Sequence, residues 1–312
     1  MNDAAPRGNA GVKSSDSWRA VHERGSARLL GIMGWLALRL GRPPVRALVY
    51  AIAFYFYCTA PRQRRASKDF LRRALGREPQ PRDTWQHILC FALTTLDRLY
   101  FLSGRTAGFD VVFEDGDGIM SRATDRGCML LMSHLGMFDV LRAAARDDQV
   151  KVSIVLDRHQ GPAITALLER IDPALTKRVI DASRPGPRLV LAVKQAIEEG
   201  ALVGIMADRV LGGQRTVTCR VLGKNVTLPA GAYLLASTLD VPLVVAFGLY
   251  EGGNRYRVHF EYLDCRGAPL ERGERAACLA QRYADRLTEF ATRYPYNWFN
   301  FYDFFDDAPA GD

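Results

Sequence analysis

The sequence has no pair of cysteines spaced for metal binding. Its 312 residues include six cysteines, none in a C-x-x-C pair: Cys58, Cys90, Cys128, Cys219, Cys265 and Cys278. Zinc and iron–sulfur sites need clustered thiolates, and small secreted domains need a framework of disulfides, so neither class of protein fits. We therefore expect no bound metal, and free thiols in a reducing compartment.

No apolar run reaches the length of a membrane-spanning helix. Leu29–Leu38 and the aromatic-rich Ala47–Cys58 are apolar, and arginines and prolines separate them. Because a spanning helix needs roughly 20 apolar residues, this pattern favours two short helices lying within one leaflet of a bilayer. A soluble helical hairpin packed on the core is the alternative. The polar leader before Leu29 does not fit a signal peptide, and we predict that residues 1–17 are a disordered tail.

Acidic residues are outnumbered by basic ones, 34 to 42, which leaves a net charge of +8. This excess indicates an anionic partner, which can be phospholipid headgroups, nucleic acid or an acidic protein. Pro61–Arg77 reads as a basic amphipathic helix closed by Gly76, which suits an anionic membrane surface. Nucleic acid is not expected, because helix-turn-helix spacing, zinc knuckles and aromatic-interleaved basic strands are missing. We predict the inner (cytoplasmic) membrane, with the main body on its cytoplasmic face.

Strand-like and helical segments alternate after Gly108, following a helical period over Arg82–Leu102. The predicted strands are Phe109–Glu114, Cys128–Met132, Val150–Leu156, Arg178–Asp181, Leu202–Ala207, Val217–Leu222, Leu243–Gly248 and Tyr256–Tyr262. The predicted helices are Phe138–Arg146, Pro162–Ile171, Gly186–Glu199, Ala230–Thr238 and Arg272–Thr292. This order predicts an α/β fold, with a mostly parallel central sheet covered by helices. We divide the chain into an N-terminal membrane-associated helical hairpin over residues 18–60, a main domain over 61–305 and a tail over 306–312.

A histidine follows the predicted buried strand Cys128–Met132, and Asp139 comes five residues after this histidine, His134. A carboxylate beside an imidazole makes a general base. Five residues on a continuous helix turn by about 500°, which leaves the two side chains roughly 140° apart. The pair therefore requires His134 to lie in a turn before the helix that holds Asp139. The alternative is a capped helix whose acid happens to follow a histidine.

Charged residues follow two further predicted strands. Arg158 comes after one of them, and Asp208 and Arg209 come after another. In an open α/β sheet the site lies beyond the carboxyl ends of the strands, so these residues join His134 as candidates. Solvated loop charge is the alternative. Ser133 suggests a hydrolase nucleophile, but the G-x-S-x-G pattern of the hydrolase elbow is absent around it.

Four segments in order resemble the late-acyltransferase branch of lipid A biosynthesis, within the lysophospholipid acyltransferase superfamily. His134–Asp139 is similar to its H-x-x-x-x-D/E motif, and Gly204–Arg209 resembles its third motif. Leu222–Gly231 looks like the following Pro-x-Gly segment, and Tyr294–Phe305 resembles the C-terminal P-x-x-W segment. The resemblance runs from about Trp18 to Phe305. This chain has Asp-Arg where that branch often has Asp-Gln, and Asp where many members have Glu, which leaves the acceptor open.

The resemblance implies that 61–305 is a catalytic domain, which moves a fatty acyl chain from a thioester to a lipid or glycolipid hydroxyl or amine. The donor would be acyl carrier protein, with coenzyme A second, and no cofactor is needed. His134 would act as general base with Asp139. Substrate-binding candidates are Arg158, Asp208, Arg209, Pro229 and Gly231. The alternatives are a non-catalytic membrane lipid-binding protein and a lipid esterase that depends on Ser133. We expect the C-terminal aromatic run to pack near the mouth of the site.

Overall fold

The computed structural model describes residues 34, 37–115, 118–119, 126–141, 151–156, 178–183, 186–210, 214–265 and 270–305. A seven-stranded sheet in the order β1-β9-β8-β2-β5-β3-β4 forms its centre. The strands of this sheet are β1 (Asp110–Glu114), β2 (Cys128–Met132), β3 (Val152–Leu156), β4 (Val179–Asp181), β5 (Leu202–Met206), β8 (Leu243–Gly252) and β9 (Arg255–Leu263). Among these described strands every neighbouring pair except β8–β9 is parallel, which confirms the predicted α/β fold.

Six α-helices that are described over their whole length accompany the sheet. They are α1 (Arg42–Thr59), α2 (Pro61–Leu75), α3 (Pro81–Leu102), α4 (Pro187–Glu198), α5 (Gly231–Leu239) and α6 (Arg272–Arg293). All were predicted within a few residues except the start of α1, where arginines and prolines seemed to interrupt. Those prolines occupy the first turn of α1, where a missing backbone N–H costs nothing. The predicted helix Pro162–Ile171 and most of Phe138–Arg146 lie outside the described residues.

The strand β7 (Lys224–Pro229) was not predicted. It pairs with β6 (Thr216–Val221) in a separate antiparallel hairpin with a two-residue loop. Both loop residues have positive φ, 46° at Leu222 and 78° at Gly223. A hairpin loop of this kind usually carries Asn-Gly, and leucine at a positive φ is uncommon. The residues Leu222 and Gly223 therefore did not predict the turn.

A disulfide joins Cys265, just after β9, to Cys278 in α6. The prediction of free thiols is therefore wrong for this pair. Cys265 follows the end of β9, and Cys278 lies in the second turn of α6. Their Cα atoms are 6.2 Å apart, within the range for a disulfide, although the residues are 13 apart in sequence. Cys58, Cys90, Cys128 and Cys219 are free.

The N-terminal helix α1 is attached to the body by a buried carboxylate. Val45, Val49 and Ala53 form its buried face. Arg42 donates two hydrogen bonds to Asp97 of α3, at 2.6 and 2.7 Å, and the Tyr256 hydroxyl donates a third at 2.8 Å.

Within the described residues, no helix is both long enough and apolar enough to cross a bilayer.

We expect Asp97→Ala to destabilise the fold by about 3–5 kcal/mol, because it removes the buried carboxylate that accepts from the partly buried Arg42 and from the buried Tyr256 hydroxyl. Urea unfolding measures the free energy. The control is Glu289→Ala, which removes the exposed partner of Arg286 and should cost no more than about 1 kcal/mol. Equal losses in the two variants would contradict a structural role for Asp97.

Candidate active site

Parallel pairing of β2 with β5 brings His134 to Asp208. Cys128 to Met132 pair in register with Leu202 to Met206, and the Ala207 N–H continues the ladder to the Met132 carbonyl at 2.9 Å. Each candidate lies two residues beyond its strand. Since neighbouring strands are about 4.8 Å apart, equal offsets from paired strand ends place the two residues side by side.

The Asp208 carboxylate is fully buried and accepts three hydrogen bonds. Oδ1 lies 2.9 Å from Nδ1 of His134, and Oδ2 accepts the His134 backbone N–H at 2.8 Å. Oδ2 also accepts the indole N–H of Trp298 at 3.2 Å. Because a carboxylate only accepts, Nδ1 of His134 carries the proton. The neutral imidazole then has its lone pair on Nε2, the nitrogen that can take a proton from a substrate.

The surroundings keep this histidine neutral near pH 7. Burial lowers the pKa of His134 below its ordinary value of 6.5, because it disfavours the charged imidazolium. The charge of Asp208 opposes this shift, and the charges of Arg209 and Arg98 add to it. Burial also disfavours ionised Asp208, but His134 and Arg209 outweigh burial and hold the pKa of that carboxyl below its ordinary value. The pair is thus a carboxylate beside a neutral imidazole whose side chain is 33% exposed.

Asp139 lies in a short 3₁₀ helix, Phe138–Val140, and His134 lies in the preceding turn. The geometric requirement drawn from their spacing is therefore confirmed. However, the carboxylate that contacts the His134 ring through Nδ1 is that of Asp208. Asp139 is buried, and its Oδ2 lies 2.8 Å from Nε of Arg98 in α3. A catalytic role for Asp139 stays a prediction.

The turn after His134 depends on the close approach of two glycines. Gly136 has φ of +78°, and its backbone bridges to Gly248 in β8. A Cβ at Gly136 would lie 2.1 Å from the Gly248 carbonyl oxygen, and a Cβ at Gly248 would lie 2.2 Å from the Met137 carbonyl oxygen. Only glycine fits at either position, so β8 fixes where the turn runs.

The C-terminal segment forms the other wall of this turn. The Gly136 N–H donates to the Asn297 carbonyl at 2.7 Å, and the Phe299 N–H donates to the His134 carbonyl at 3.0 Å. Asn297 itself makes two side-chain hydrogen bonds with the backbone of Tyr250 in β8, at 2.7 and 3.1 Å. The expectation that the aromatic run packs near the site is confirmed. Its contacts are closer than expected, since Trp298 bonds to Asp208 directly.

His87 was not predicted as a site residue. It holds the C-terminal segment in place. It is fully buried in α3, and its Nε2 lies 2.8 Å from the Trp298 carbonyl while Nδ1 lies 2.8 Å from Ser67 Oγ. The carbonyl accepts, so Nε2 carries the proton. Burial lowers the pKa of His87 to about 4, so the ring is neutral and Nδ1 accepts from the Ser67 hydroxyl. The sequence shows only a histidine within a predicted helix, because its partners lie 20 and 211 residues away along the chain.

Ser133 has a structural position. Its side chain is buried, and its Oγ accepts the Leu135 N–H at 3.1 Å. This hydrogen bond closes the turn that carries His134, and burial keeps the hydroxyl that a hydrolase would use as nucleophile away from solvent. The structure therefore agrees with the missing hydrolase elbow.

The other predicted residues lie in different places. Arg158 is outside the described residues. Arg209 donates through Nη2 to the Phe299 carbonyl at 2.9 Å, and its guanidinium lies over the Tyr302 ring at 5.2 Å. Pro229 ends β7, and Gly231 begins α5. Of the predicted set, the structure thus brings His134, Asp208 and Arg209 to one strand-end site, and their roles toward a substrate remain predictions.

We expect Gly136→Ala to destabilise the protein more than Gly223→Ala, by at least about 1 kcal/mol in urea unfolding. Both glycines have φ of +78°, but a Cβ at Gly223 meets nothing within 4 Å. In both variants the left-handed alanine costs about 1–2 kcal/mol of stability. Only Gly136→Ala must also displace backbone of β8. Equal losses would show that the close approach to Gly248 is unimportant.

Comparison with known protein families identifies the family of this chain. The sequence model of the family described as bacterial lipid A biosynthesis acyltransferase matches residues 15–305. A search of the curated proteins found no match. The match spans the strand-end site, the β6–β7 hairpin and the C-terminal segment that surrounds the turn. The chain therefore belongs to the bacterial lipid A biosynthesis acyltransferase family and is an acyltransferase.

Proposed function

We propose that the protein transfers a fatty acyl chain from a thioester to a hydroxyl or amine of a lipid or glycolipid, with His134 as general base. The observation that carries this proposal is the hydrogen bond from His134 Nδ1 to the buried Asp208, which leaves Nε2 unprotonated on a side chain that is 33% exposed. A base of this kind suits proton removal at neutral pH. Asp208 takes the orienting role, as the carboxylate does in other histidine-based sites.

The reaction needs no enzyme nucleophile. Nε2 accepts the proton of the acceptor hydroxyl while its oxygen attacks the thioester carbonyl carbon, so a C–O bond forms as negative charge moves to the carbonyl oxygen. When the oxyanion collapses, the C–S bond breaks, and the imidazolium returns the proton to the leaving sulfur. The products are an acylated lipid and a free thiol. Asp208 stabilises the imidazolium in between. Arg158 and Arg209 are the candidates for binding phosphate or the oxyanion.

Acyl carrier protein is the donor that we favour, with coenzyme A second. The net charge of +8 suits an acidic protein partner through electrostatic complementarity. Pro229 and Gly231 remain candidate substrate contacts from the family resemblance. A non-catalytic lipid-binding protein with the same fold would not need a neutral imidazole oriented by a buried carboxylate, and an esterase would need Ser133, which is buried.

We expect His134→Gln to lower kcat/KM for acyl transfer by about 10²–10⁴-fold and Asp208→Asn to lower it by a similar factor, because an amide no longer selects the Nδ1–H tautomer. Thiol release from a synthetic acyl thioester measures the rate. In the wild type kcat/KM should fall as the pH drops through a value below 6.5, where Nε2 becomes protonated. An unchanged rate in His134→Gln would refute general-base catalysis.

We also propose association with the cytoplasmic face of the inner membrane. Helix α1 exposes Phe54 and Tyr55 to 61% and 59%, and Phe56 to 39%. Exposed clusters of aromatic side chains are typical of membrane or protein contacts. Helix α2 follows after one residue and buries a single apolar face, while Arg62, Arg65 and Lys68 are exposed. Aromatic and basic groups on consecutive helices fit an anionic bilayer surface.

Replacing Phe54, Tyr55 and Phe56 together by serine should weaken binding to phosphatidylglycerol-containing vesicles at least about tenfold, because the variant loses apolar area that inserts between headgroups. Vesicle co-sedimentation measures the bound fraction. The matched control replaces Val112 and Phe113 by serine, since these are exposed to 44% and 38% on the edge strand β1. Equal effects of the two changes would argue against α1 as the membrane-contacting helix.

A further inference from the structure

Arg98 of α3 is a cation at the candidate active site that the reaction described so far does not use. Its Nε lies 2.8 Å from Oδ2 of Asp139, and its guanidinium lies over the Phe138 ring at 4.9 Å. The Asp139 side chain is 4% exposed and the Arg98 side chain 31%. The carboxylate of this ion pair is therefore buried, and the arginine side chain is partly exposed.

The Arg98 side chain belongs to the same site as His134. The positive charge of Arg98 is among the groups that act on the His134 imidazole, together with burial, Asp208 and Arg209. Asp139 comes five residues after His134. It lies in the 3₁₀ helix that follows the His134 turn. Within the described residues, the two Nη atoms of Arg98 donate no hydrogen bond to a protein acceptor. Each Nη atom can therefore donate to a ligand.

We infer that Arg98, positioned by Asp139, binds a phosphate group of a substrate beside His134. This inference rests on the proposed acyl transfer and deepens it, since it names an anionic group that the site recognises. In this arrangement Asp139 is a positioning residue for Arg98, and Asp208 is the positioning residue for His134. The two carboxylates at the site thus have separate tasks.

The chemistry of the guanidinium favours a phosphate. Its planar fork matches phosphate oxygens with two parallel N–H donors and stays charged at any working pH. Because Nε is in ion-pair contact with Asp139 and one face of the guanidinium lies over Phe138, the guanidinium is held on two sides. A pre-oriented donor loses less entropy on binding an anion.

Two substrates can supply this phosphate. One is the phosphopantetheine arm of the thioester donor, and the other is a phosphate on the acceptor lipid. Each source has a partner compound that lacks only the phosphate. For the donor the pair is palmitoyl-phosphopantetheine and palmitoyl-pantetheine, and for an acceptor it is lysophosphatidic acid and monoacylglycerol.

The test is the ratio of dissociation constants within each pair, measured by titration calorimetry in detergent for the wild type and Arg98→Gln. We expect the wild type to bind the phosphorylated member of one pair about 10- to 100-fold more tightly and Arg98→Gln to lose this preference. Arg98→Lys should restore part of it, and Asp139→Asn should reduce it. Arg82→Gln removes the same charge from an exposed position of α3 and serves as the control.

A lost preference in the donor pair assigns the donor phosphate, and a lost preference in the acceptor pair assigns the acceptor phosphate. The inference is overturned if the wild type shows no preference in either pair, or if Arg98→Gln keeps it. If Arg98→Gln does not fold because Asp139 loses its ion pair with Arg98, the double variant Arg98→Gln/Asp139→Asn, which removes both charges, is tested instead of the single variant. Since binding needs no turnover, a protein without acyl transfer would fail the proposed function and not this test.

Discussion

The candidate site depends on the buried carboxylate of Asp208. It accepts hydrogen bonds from the ring and the backbone of His134 and from the Trp298 indole. An ionised carboxylate without partners would be very costly to bury, so the fold must deliver these donors together. The three donors come from two segments far apart in sequence. The same contacts that satisfy Asp208 therefore hold the imidazole in one orientation.

The rest of the molecule can be understood as support for this arrangement. The glycine pair Gly136 and Gly248 sets the path of the turn, and Asn297 joins the C-terminal segment to β8. His87 then fixes that segment to α3 through the Trp298 carbonyl. Helix α3 also carries Arg98, which forms an ion pair with Asp139 in the 3₁₀ helix that follows the turn. A change in the position of α3 would therefore reach both the segment that holds Asp208 and the cation beside the base.

Much of this was predictable from periodicity and strand ends. The order of strands and helices, the strand Cys128–Met132 and the turn position of His134 followed from apolar runs and their abrupt ends. The partner of His134 was predictable in principle, because both it and Asp208 lie two residues beyond strands that pair in register. It was missed because strand pairing is a tertiary property, and the motif spacing pointed to Asp139. The hairpin loop with Leu222, the disulfide and the role of His87 depend on contacts that no local pattern reports.

The most direct test of the account is the tautomer of His134, measured by ¹⁵N NMR of protein labelled at histidine near pH 7. If Asp208 orients the imidazole, the ring is neutral with its proton on Nδ1 in the wild type and in Asp139→Asn, and this state is lost in Asp208→Asn. A proton on Nε2 in the wild type would contradict the account. So would a tautomer that changes in Asp139→Asn and survives in Asp208→Asn.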